Sequence, residues 1–148
     1  MRRLLTAILM LAWSALSVAD NHGGLIMHRS MQTFPEAMLS LQTTIGEHGY
    51  KVSRVQRVDI GLTKSGYKTD KYRVVFFGKP SEIRAIKHSE PQLIPYLPMK
   101  VVIFSEGSET LLVAADTSEY SKLVKNQHIK DLLVRWNNDI HSIFSDVK

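Results

Sequence analysis

This sequence predicts an α+β domain, and three observations carry that prediction. Three short apolar runs, Val74–Phe77, Val101–Phe104 and Leu111–Ala115, are rich in β-branched or aromatic residues and bounded by Gly, Pro, Ser or Asp, as core strands are. Two other segments repeat apolar residues at helical steps. Phe34, Met38, Leu41 and Ile45 make one stripe, and Ile129, Leu132, Leu133, Trp136, Ile140, Ile143, Phe144 and Val147 make a longer one. With two further strands and a short helix the order becomes β-α-β-β-α-β-β-α. That order is an antiparallel sheet of about five strands packed on helices, ending in a long amphipathic helix over residues 127–147.

Taken from its start, the chain opens with Met1-Arg2-Arg3, an uncharged and mainly apolar run from Leu4 to Leu16, and Ser17-Val18-Ala19. A positive region, an apolar region and a small-x-small site together read as a signal peptide over 1–19, cleaved before Asp20. The apolar run is short against the roughly 20 residues that span a bilayer. A periplasmic or secreted product with no membrane span after cleavage is expected. The chain has 0 cysteines, which excludes disulfides, thiol redox chemistry and Cys-ligated metals and leaves stability to the core. Residues 20–148 are enough for one ordinary domain.

Cleavage after Ala19 would expose Asp20-Asn21-His22. A free amine, two deprotonatable amides and an imidazole at the third position can wrap Cu(II) or Ni(II) in square-planar geometry. The competing reading is a flexible terminus over 20–24, since Gly23-Gly24 follow.

Leu25–Arg29 reads as the first strand. Thr33-Phe34-Pro35-Glu36 then opens a core helix with a capping box, which Gly49 closes, with His48 in its last turn. Tyr50 to Ile60 reads as the second strand, where the step from Val55 to Val58 breaks alternation and suggests a bulge. Gly61 to Asp70 reads as a polar loop. Lys51, Arg54, Arg57, Lys64, Lys68, Lys71, Arg73 and Lys79 crowd this region against only Asp59 and Asp70. That surface suits either an anionic partner or a solvated face with lysines guarding an edge. Ser81 and Glu82 begin a short helix after Pro80, and Pro91, Pro95 and Pro98 fix the path that follows. Glu106-Gly107-Ser108-Glu109 reads as the hairpin turn between the last two strands. A short connecting helix after Tyr120 leads into the final one. His128 and His141 stand about 220° apart around that helix axis, so they share no metal-binding face.

The succession F-F-G-K-P, a short helix, L-P-M-K-V-V-I-F, E-G-S-E and A-D-T-S-E-Y resembles the DUF302 family of small bacterial domains of uncharacterised function. The resemblance runs from about Gly24 to Tyr120 and extends the domain over 25–148. It implies a curved antiparallel sheet packed on helices, similar to the TATA-binding-protein-like fold, and chains that can pair as homodimers.

No nucleophile elbow, phosphate-cradling glycine loop or paired metal-ligand motif is present, so an enzyme of unknown class rests on nothing but the uncharacterised family. The net charge of +5 falls further on loss of Arg2 and Arg3, and aromatics do not interleave with the cations, so no nucleic acid is expected. Two further readings remain. One is a non-catalytic binding or accessory module in which Tyr72, Phe76, His88, Tyr96 and Phe104 line a pocket for a small hydrophobic ligand, their alternative being core packing. The other is a homodimeric interaction module using the basic face or Trp136, Ile140 and Phe144 of the last helix, which must cover either the sheet or its own copy.

Overall fold

The computed structural model describes residues 23–148; the expected signal peptide and Asp20, Asn21 and His22 lie outside the described residues. The elements are β1 (Leu25–Ser30), α1 (Phe34–Glu47), β2 (Lys51–Arg57), α2 (Val58–Lys64), β3 (Tyr72–Gly78), α3 (Pro80–Ser89), a 3-10 helix over Pro91–Tyr96, β4 (Met99–Glu106), β5 (Glu109–Ala115), a second 3-10 helix over Thr117–Leu123, and α4 (Gln127–Asp146). The strands form one sheet in the order β1-β5-β4-β3-β2, and every pairing is antiparallel. The α+β class, the five strands and the long final helix are as the sequence predicts.

Local chemistry explains most boundaries. At the start of α1 the Thr33 N–H donates to Glu36 Oε2 at 3.0 Å and the Thr33 hydroxyl donates to the same oxygen at 2.6 Å. Those bonds hold the Glu36 carboxyl below the usual range, the side-chain bond contributing most. His48 caps the far end and Gly49 takes φ +75, a conformation glycine adopts without steric cost. Gly107 does the same at φ +63 in the β4–β5 hairpin, where Glu106 is in register with Glu109.

Two predicted boundaries are corrected. The second strand stops at Arg57, and residues 58–64 are a helix where a strand end and a loop are expected. The register shift lies instead between Val52 and Arg54, so Val52 and Val55 both pack against the core. The step to Val58 is therefore the end of the strand. Asp59 in the first turn of α2 favours a helix start and pairs with Arg73 of β3, anchoring the helix across the sheet. The connecting helix begins at Thr117 instead of after Tyr120, because the Asp116 side chain accepts from the Ser118 N–H at 2.9 Å and so caps it.

The core lies between one face of the sheet and the helices. Phe34, Ala37, Leu41 and Ile45 of α1, Ile86 of α3 and the apolar stripe of α4 meet Val75, Phe77, Val101, Ile103, Leu112 and Ala114 there. Trp136, Ile140 and Phe144 are 1%, 2% and 2% exposed. They turn inward and cover their own sheet, the first of the two placements open to them, and offer no outward stripe.

Candidate functional site

Strand side chains alternate between faces, and here both faces are apolar. The register aligns Met27 with Val113, Val113 with Val102 and Val102 with Val74, a row crossing four strands on the side away from the core. A second row aligns Leu111 with Phe104 and Phe104 with Tyr72. The Tyr72 and Phe104 rings meet edge to face with centroids 6.1 Å apart. Val74, Phe76, Val102, Phe104, Leu111, Val113 and Ala115 are half-buried, while Leu25 and Met27 at the β1 edge are 48% and 41% exposed. By contrast the opposite-facing Val75, Phe77, Val101, Ile103 and Leu112 are fully buried at 0%. The helices that bury apolar residues sit on that other side, so the outward face has no second layer among the described residues.

Charge marks the ends of this face. At one end Arg29 pairs with Glu106 and, at 3.2 Å, with Glu109. At the other, Lys100 is exposed in register with Phe76. The β2 edge is polar instead, with Arg54 and Gln56 beside Phe76 and Val74.

The five predicted pocket residues are not brought together. Tyr72, Phe76 and Phe104 lie on the open face, and His88 is exposed on the last turn of α3. Tyr96 lies elsewhere, stacked on Tyr120 with ring centroids 4.5 Å apart. Sequence reasoning missed Met27, Val74, Val102, Val113 and Tyr120. The signal for the first four was the unbroken apolar character of the strand runs, since a strand with one wet face alternates.

A polar cluster occupies the junction of α3, α4 and the end of α1. Glu82 accepts from Trp136 Nε1 at 2.7 Å and from Arg135 at 2.6 Å. Arg135 also reaches Asp139 at 3.3 Å, and Asp139 accepts from the Tyr50 hydroxyl. Burial, then the neighbouring Asp139, push the Tyr50 phenol far above its ordinary range, and the Lys79 ammonium stands 4.4 Å over its ring. The phenol, held protonated and with its partners satisfied, ties the end of α1 to α3 and α4. Among the described residues there is no group of three His, Cys, Asp or Glu able to hold a metal ion. No helix among them is long and apolar enough to cross a membrane. Within the basic region, Arg73 is paired with Asp59, while Lys51, Arg54, Arg57, Lys64 and Lys68 are exposed.

Comparison with known proteins agrees with this fold. The profile of the family described as "Domain of unknown function DUF302" matches residues 26–147. The crystal structure of an uncharacterized conserved DUF302 protein from Bacillus stearothermophilus superposes with a TM-score of 0.77 at 12% identity, covering 85% of this chain and 99% of that one. No curated protein matches. By the match over most of its length and by the shared architecture, this chain belongs to the DUF302 family, a domain of unknown function.

Proposed function

We propose that this chain is a non-catalytic accessory module that works as an assembly of two copies, joined through the face of the sheet opposite α1, α3 and α4. The observation that carries the reading is the apolar row Met27, Val113, Val102, Val74 on a face with no covering layer among the described residues. The four strands β1, β5, β4 and β3, about 4.8 Å apart and about six residues long, make a footprint of roughly 20 by 20 Å, or about 400 Å² per copy. Apolar patches of that size on a monomer are often functional. Two such faces remove roughly 800 Å² from water, worth about 20 kcal/mol gross at 25 cal/mol per Å². Association costs of about 4–15 kcal/mol leave about 5–16 kcal/mol, a range that contains the roughly 8 kcal/mol of a micromolar dimer.

Charge favours a second copy as the occupant. A two-fold axis lying across the strands sets the Lys100 end of one copy over the end of the other where Glu106 and Glu109 share the single cation Arg29, so a positive end meets one with a carboxylate in excess. The two sheets would then pack like the layers of a sandwich. The expected leader would place this assembly in the periplasm or the medium.

The test is native mass by light scattering, with folding checked by circular dichroism. Wild type is expected to elute as a dimer near 100 µM, a concentration about a hundred times a micromolar dissociation constant. Val102→Lys, which buries an unpaired charge at the centre, is expected to weaken association at least ~100-fold and yield a folded monomer. A monomeric wild type, or a dimer indifferent to Val102→Lys, overturns the reading.

A further inference from the structure

The two 3-10 helices meet over the junction of β4, β5 and α4, and there the packing leaves a cleft of about 30 Å³. Its deeper walls are Leu93, Met99, Leu133, Trp136 and Ile140, all buried core residues. Tyr96 and Tyr120 also line it, their rings tilted 32° at a centroid distance of 4.5 Å. A void of this size could hold one water, but a stable water needs two to four polar partners, and apolar walls do not supply them. The space therefore suits apolar atoms.

Tyr96 ends a 3-10 helix that contains Pro95 and is 41% exposed, whereas Tyr120 is half-buried. An exposed side chain changes rotamer on the nanosecond scale or faster. With the Tyr96 ring turned out, a flat ring of similar size can take its place against Tyr120 and extend into the void. The polar part of such a guest is set by charge. Within a single copy Lys100 is on the lining and no carboxylate is, so an anionic head is preferred over a neutral or cationic one, and the titration is run at about 0.1 µM protein, below the micromolar dissociation constant, where no partner carboxylate covers Lys100.

We propose that this cleft is a binding site for small aromatic carboxylates, with the ring stacked on Tyr120 in place of Tyr96 and the carboxylate beside Lys100. Trp136 lies in the wall and reports occupancy directly. The chain has 2 tryptophans, so Trp13→Phe in the full chain leaves Trp136 as its one indole.

The experiment is a titration of Trp136 fluorescence, excited at the red edge, with phenylacetate, phenylacetamide and phenethylamine. A ligand of about ten heavy atoms in so small a site is expected to half-saturate at roughly 1 mM. The anion should bind about two- to five-fold tighter than the amide, the range of an exposed charge pair, and the amine more weakly still. Lys100→Met should erase the difference between anion and amide, and Tyr96→Ala, which removes the competing ring, should tighten all three. Absence of a saturable response in both the Trp13→Phe chain and its Tyr96→Ala derivative overturns the site. An anion preference that survives Lys100→Met overturns the assignment of the head group.

Discussion

Replacing Glu82 with alanine tests whether the α3–α4 cluster is a structural tie, and its cost can be worked from the geometry. Glu82 receives the Trp136 indole N–H at 2.7 Å, and Trp136 is 1% exposed. Losing the carboxylate leaves that donor buried without a partner, a cost of about 1–3 kcal/mol. Arg135 loses its 2.6 Å contact as well, but its side chain is 42% exposed and keeps Asp139 at 3.3 Å. Water therefore repairs most of that loss, and it adds no more than about 1 kcal/mol. The sum is about 1–4 kcal/mol, a fall of about 0.5–2 M in the urea midpoint at a slope of ~2 kcal/mol per M. Glu82→Gln, which keeps an acceptor for the indole, should cost less than about 1 kcal/mol. The assay is urea unfolding followed by circular dichroism at one protein concentration, since a dimer's stability depends on concentration. The decisive comparison repeats Glu82→Ala in a Trp136→Phe background, where no indole N–H remains to be stranded. A coupling of about 1–2 kcal/mol is expected. If Glu82→Ala costs the same in both backgrounds, to within about 0.5 kcal/mol, the indole bond is not what holds the helices together.

Three further predictions can be checked as simply. The Arg73 guanidinium beside Asp59 holds that carboxyl below its usual range, so its contribution is complete above the unfolded carboxyl pKa near 4 and fades as pH falls below it. Asp59→Asn should flatten that acid limb of the stability profile, while an unchanged limb would remove Asp59 from the account. A Cβ at Gly78 would stand 2.6 Å from Ile83 Cδ1, so Gly78→Ala should cost about 1–3 kcal/mol by overpacking; adding Ile83→Val, which removes that methyl, should recover most of it in thermal unfolding. Finally, mass spectrometry of exported protein should find a chain beginning at Asp20, and the His22→Ala variant should lose the square-planar Cu(II) visible band; a start elsewhere removes both the leader boundary and the metal site.

The elements were legible where the signal is local. Thr33 and Glu36 are three residues apart because the capping box needs that spacing, and the stripe from Ile129 to Val147 repeats over five turns. The β4–β5 hairpin showed itself through Gly107, and the β3 and β4 runs through their β-branched and aromatic content. Residues 58–64 failed for a non-local reason. Val58 and Ile60 satisfy a strand pattern as well as a helical one, and the tie that favours the helix joins Asp59 to Arg73, a residue on a different strand. The pocket failed similarly. Tyr72, Phe76 and Phe104 were rightly grouped by chemistry, yet alternation sends all three to the face opposite the core, away from His88 and Tyr96.

That opposite face is where sequence and structure together say most. Unbroken runs such as Val74–Phe77 and Val101–Phe104 belong to strands covered on both sides, but α1, α3 and α4 bury their stripes on one side only. β2 does not follow the rule: Val52 and Val55 face the core while Arg54 and Gln56 face out, the pattern of a strand with one wet face, shifted by one residue at its bulge. The missing layer should therefore sit over β1, β5, β4 and β3 and stop short of β2. Gln56 is in register with Val74, at the end of the same row as Val102, and so provides a control. Gln56→Lys should leave native mass unchanged where Val102→Lys halves it. Equal dissociation by both would mean that the surface is defined by its charge and not by its apolar strands, and the assembly drawn from those strands would fall.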